Sequence, residues 1–105
     1  MKKRFRYDDR LDIELPDIEE EWLAISQDER TQILYEWEII RGTIPNRIQK
    51  REAIIIEKQN QLHQENNFTI SCELNTQIAN LASQINDLHL WFRTNQDLES
   101  KIHSG

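Results

Sequence analysis

Six apolar residues in the second half of the chain, Leu74, Ile78, Leu81, Ile85, Leu88 and Phe92, follow one another at alternating steps of four and three. That spacing puts all six on one stripe of an α-helix and excludes a strand, whose side chains change face at every residue. Ile102 resumes the register after Asn95 and Glu99, so a helix is expected over 70–102. A second series precedes it. Leu34, Arg41, Ile48, Ile55 and Leu62 lie seven apart, and Trp37, Ile44, Arg51 and Lys58 each fall three residues after one of the first four. This is a heptad seam with three cations in it. Between the two series, Asn66-Asn67-Phe68-Thr69 reads as a turn, with Thr69 able to cap the helix that follows.

The two series can be matched. In an antiparallel hairpin the numbers of facing residues keep a constant sum. Leu62 with Leu74, Ile55 with Leu81, Ile48 with Leu88, Ile44 with Phe92 and Leu34 with Ile102 all satisfy one value. The match passes through Gly42 and Pro45. Pro45 cannot donate a backbone hydrogen bond and disfavours helical geometry at Ile44, so the first arm either kinks or breaks there. The preserved sum favours a kinked helix over 27–65. Ser26-Gln-Asp-Glu29 in front of it has the form of a capping box, in which hydroxyl and carboxylate satisfy each other's backbone amide.

Ahead of Ser26 the pattern changes. Asp17, followed by Glu19, Glu20 and Glu21 and by Ile18, Trp22 and Ile25 on one face, predicts a short helix over 17–25. In residues 1–16, Leu11, Ile13 and Leu15 alternate with Asp12 and Glu14, which reads as extended chain. With no second strand evident, this arm is expected to lie as a strap against the helices or to be disordered. The expected fold class is therefore all-α: a long antiparallel, coiled-coil-like helical hairpin with a short N-terminal helix. A chain of 105 residues allows a single domain, here 17–105.

Composition limits the function. Net charge is −6, with ten acidic residues and one base between Asp12 and Glu38, and four bases without an acid between Arg41 and Arg51. An acidic chain is repelled by a phosphate backbone, so nucleic acid is not the expected partner in spite of Lys2, Lys3, Arg4, Arg6 and Arg10. One cysteine, Cys72, excludes an internal disulfide and suits a reducing cytoplasm. No stretch approaches the ~20 apolar residues of a membrane span. His63, His89 and His103 lie far apart on the hairpin, no Glu-x-x-His motif occurs, and only Gly42 and Gly105 are glycines. No cofactor, metal or catalytic set is expected, and a non-enzymatic protein is favoured.

Two features point outward. Arg41, Arg51 and Lys58 on inward positions offer either an anion site, similar in architecture to the all-helical chorismate mutases, or stems that pack while their heads reach Glu52, Glu57, Glu73 and Asp87. Ile39, Ile54 and Ile56 fall off the seam, and Trp22, Trp37, Trp91 and Phe92 form an aromatic group that serves either as core or as a recognition surface. A hairpin with apolar surface to spare is expected to pair with a second copy as a homodimer, in the manner of a four-helix bundle, and to bind another protein.

Ser71-Cys-Glu-Leu-Asn75, opening the second arm, resembles the Ser-x-Glu-Leu-Asp signature of small helical-hairpin phosphatases. Those act on the aspartyl phosphate of sporulation response regulators in spore-forming bacilli. The resemblance implies a small bacterial regulator of a phosphorelay, with Ser71, Glu73 and Asn75 as the matching positions. Asn75 stands where that family has a carboxylate, and the turn here is shorter.

Overall fold

The computed structural model describes residues 4–103, with side chains to Thr94. It is mostly helical, but it begins with a β-hairpin. Strands β1, Phe5–Asp8, and β2, Ile13–Pro16, are followed by a single 3-10 turn at Trp22–Ala24 and by helices α1, Gln27–Arg41, α2, Ile44–Gln64, and α3, Phe68–His103. The chain divides into two compact units. One contains everything up to Thr43 together with α3 from Trp91 onward; the other is Ile44–Leu90.

In the first unit Leu11, Ile13 and Leu15 are all buried, Ile13 and Leu15 by alternation along β2 and Leu11 from the turn that precedes it. The all-α expectation is corrected here, because Phe5-Arg-Tyr-Asp8 supplies the missing second strand, pairing antiparallel with Phe5 opposite Pro16 and Asp8 opposite Ile13. Phe5 and Tyr7 alternate with Arg6 and Asp8, but over four residues only, and Tyr7 stays half in solvent while Phe5 is buried. The connection is fixed by local chemistry. Asp8 Oδ1 accepts from the Leu11 amide at 2.8 Å, and the Asp8 carbonyl accepts from the Asp12 amide at 2.8 Å. Asp12 then takes a left-handed φ of 59°, which Asp tolerates better than most residues, and its carboxylate accepts from the Tyr7 hydroxyl.

The short helix expected over 17–25 is not formed. The Asp17 amide bonds back to the Arg4 carbonyl at 2.8 Å, extending the strand pairing, and Glu20 is drawn to the Arg4 guanidinium. What remains is one tight turn, which ends at Ile25 in extended conformation with its side chain buried.

Helix α1 starts where Ser26 predicts, its hydroxyl accepting from the Glu29 amide at 3.2 Å. The reciprocal half of the capping box is absent, since Glu29 receives Arg4 Nε at 3.0 Å. Arg4 therefore links the start of β1 to the first turn of α1 and to Glu20. Its guanidinium is raised above the ordinary arginine range, first by the hydrogen bond to Glu29, against the opposing effect of partial burial. Ile33 and Trp37 are the buried residues of α1, four apart, and β2 packs on the helix. Together with Phe5, Leu11, Ile13, Leu15 and Ile25 they form the core of this unit.

The helical ladder is interrupted at Gly42–Thr43. Gly42 still donates to the Glu38 carbonyl at 3.0 Å, but Thr43 donates one residue short, to Ile40, at 3.0 Å. Pro45 has no proton for Arg41, and it stands in the first turn of α2, the one part of a helix that tolerates proline.

In the second unit, α2 and α3 form the expected antiparallel hairpin. Arg51 Nε donates to Gln84 Oε1 at 2.9 Å, and Lys58 Nζ to Gln77 Oε1 at 2.8 Å. Seven residues up one arm correspond to seven down the other. Every seam position of α2 from Ile44 to Leu62, and every one of α3 from Leu74 to Leu88, is buried or half-buried. Asn67, not Thr69, caps α3: its Oδ1 accepts from the Ile70 amide at 3.2 Å, and its own amide donates to Glu65 Oε1 at 3.0 Å. The pairing of Leu34 with Ile102 lies outside the described side chains.

Two stability changes follow. Trp37→Ala is expected to cost about 3–5 kcal/mol, because the indole fills the core of its unit. Asn67→Ala is expected to cost about 1 kcal/mol, the worth of an N-cap, whereas Thr69→Ala changes stability little. Urea denaturation followed by circular dichroism measures both; equal losses at Asn67 and Thr69 would contradict the cap assignment.

Candidate interaction surface

The aromatic residues named from the sequence are not equivalent. Trp37 is fully buried, so it is core and unavailable to a partner. Its ring meets that of Trp91 edge to face, with centroids 6.0 Å apart and planes at 74°, a favourable quadrupole arrangement. Trp91, Phe92 and Trp22 are half-buried. The indole nitrogens of Trp22 and Trp37 are both buried with no hydrogen-bond acceptor among the described residues.

Phe92 is covered by a cation. The Arg41 guanidinium carbon sits 4.6 Å from the centre of its ring, while Nη1 donates to the Phe92 carbonyl at 3.1 Å. The other edge of the same guanidinium grips Glu38, Nε at 3.2 Å and Nη2 at 2.9 Å. Arg41 thus joins the end of α1 to the Trp91–Thr94 stretch of α3 through a ring, a carbonyl and a carboxylate.

The seam cations of the second unit behave in the same way. Arg51 reaches the Arg47 carbonyl at 3.2 Å as well as Gln84, and Lys58 reaches Gln77. The expected carboxylate partners are corrected in part: Glu52, Glu57 and Glu73 take no ion pair among the described residues. Glutamine suits these places because its amide oxygen accepts a charged donor without itself carrying a charge into a half-buried seam. With their protons already directed to carbonyl and amide oxygens, Arg41, Arg51 and Lys58 are engaged in holding helices together.

What remains exposed is aliphatic. Ile39 on α1 is 57% exposed, with Tyr35 one turn before it also in solvent. On α2, Ile54 is 41% and Ile56 58% exposed, on opposite flanks of the seam. Phe68, expected in the turn, is the first residue of α3 and is 82% exposed. Ser71 is half-buried, Glu73 and Asn75 are exposed, and Cys72 is an exposed free thiol.

His63 and His89 are exposed, and the His103 side chain lies outside the described residues. Among the described residues no group of three His, Cys, Asp or Glu is placed to hold a metal ion, and no helix is long and apolar enough to cross a membrane. Comparison with protein-family models, with curated proteins and with solved structures finds no match.

Arg41→Ala is expected to lower stability by about 1–2 kcal/mol through loss of a charged hydrogen bond and the contact with Phe92. Adding an aromatic dicarboxylate to the native protein is expected to leave its melting temperature unchanged. A clear rise would show that the seam cations accept an anion.

Proposed function

We propose that this chain is a non-enzymatic interaction protein of the bacterial cytoplasm, a helical hairpin that associates with a second copy and presents apolar surface to another protein. The observation that carries this reading is the exposure of Ile39, Ile54 and Ile56, none of which has a covering element in its own unit. Isoleucine on the solvent side of a helix adds nothing to helix propensity, since its branched side chain restricts the preceding turn. Its value there is in packing against something else. The seam supports the same reading: near the turn Ile55, Leu62, Ile78 and Leu81 are only half-buried, so two helices leave their own core partly wet.

Sedimentation velocity on the purified chain at micromolar concentration tests the reading. A mass of twice 12.7 kDa is expected, and a monomer throughout that range would remove self-association.

A second reading, a phosphorelay regulator acting on response-regulator aspartyl phosphate, draws support from the position of Ser71-Cys-Glu-Leu-Asn75. The stretch opens the second arm of a hairpin with Glu73 and Asn75 in solvent. Asn75 has no carboxylate to position a hydrolytic water, so a binding role without phosphatase activity fits these residues better. An unchanged aspartyl-phosphate lifetime together with no complex with phosphorylated response regulators would remove it.

A further inference from the structure

The outward face of α2 carries a charge pattern that is its own complement. Lys50, Ala53, Ile54 and Glu57 recur at the spacing of one helical face, and all four are exposed. Lys50 and Glu57 have no charged partner among the described residues. Within α2 they cannot acquire one. The residues three and four away from Lys50 are Asn46, Arg47, Ala53 and Ile54, and those around Glu57 are Ala53, Ile54, Asn60 and Gln61. On α1, by contrast, Arg41 meets Glu38 one turn away.

We infer that this face docks on the same face of a second copy, with the two α2 helices antiparallel about a two-fold axis between Ala53 and Ile54. The inference rests on the self-association reading and specifies its interface. Antiparallel pairing about that axis sets Lys50 opposite the partner's Glu57 and Glu57 opposite the partner's Lys50. Each Ile54 then faces the partner's Ala53, a branched side chain over a small one, which lets the backbones approach. Arg47 comes opposite the partner's Asn60 and Asn46 opposite the partner's Gln61, so no like charges meet. Parallel pairing in register instead stacks lysine on lysine and glutamate on glutamate. The charges therefore select one orientation as well as one partner, and the isologous arrangement closes after two copies. The apolar centre is two residues per copy, so the dimer depends on its charge pairs and weakens as salt is added.

Sedimentation equilibrium across a concentration series at low salt tests this on the full chain, with circular dichroism to verify that each variant keeps its helix content. Lys50→Glu and Glu57→Lys are each expected to weaken the dimer about tenfold or more. The double variant Lys50→Glu/Glu57→Lys is expected to recover the native affinity, because it exchanges the two charges. Gln59→Ala, an exposed position on the opposite side of α2, is expected to leave the affinity unchanged. A native chain that stays monomeric overturns self-association as a whole. A native dimer that neither single reversal weakens, or single losses that the double variant fails to recover, overturns this interface and leaves self-association standing.

Discussion

Two helices lying side by side can bury only one stripe of each, and a stripe flanked by solvent on both sides is never wholly dry. That limit governs the second unit. Ile44 and Leu88 are fully buried and Ile48 and Leu74 nearly so, while the remaining seam residues are half-buried. A seam of this kind tolerates cations. Arg51 and Lys58 lay their stems along it and send their heads to glutamine oxygens on the opposing helix. The same positions in a closed bundle would cost a desolvated charge each.

The first unit escapes the limit by adding a different layer. Its hairpin sets Leu11, Ile13 and Leu15 against α1, so Ile33 and Trp37 are covered from a direction that a second helix does not supply. Arg4 fastens this layer. One guanidinium at the start of β1 holds Glu29 in the first turn of α1 and Glu20 in the connecting loop. Of the basic residues at the start of the chain, Arg4 is committed to internal ion pairs.

The helical part of this fold was legible because it depends on period. Leu74 to Leu88 and Ile44 to Leu62 recur at fixed spacing, and a spacing survives whatever the tertiary details. The hairpin was half legible for the same reason. Leu11, Ile13 and Leu15 alternate, whereas β1 shows one buried residue, Phe5, and is defined by pairing with a strand eight residues later. The cap of α3 is Asn67 and not Thr69, two residues on; both are good caps, and Asn67 is the one held in place by its amide bond to Glu65. The aromatic residues were ambiguous on principle. Trp37 in the core and Trp22 at its edge carry the same side chain, and only the covering layer distinguishes them.

Charge placement on α2 obeys a further constraint that periodicity alone does not express. A solvated helix face in a monomer gains from opposite charges three or four residues apart, and α1 uses that device at Glu38 and Arg41. On α2, Lys50 and Glu57 are separated by seven, about 10.5 Å along the axis, too far to meet and on the same side. Between them stand a small residue and a large one. For a helix facing only water this arrangement forgoes stabilisation at both charges and exposes Ile54 besides. For a helix facing its own copy the same four residues satisfy both charges and cover the isoleucine. The feature that leaves a lone hairpin incomplete is thus the one that makes its outer face self-complementary.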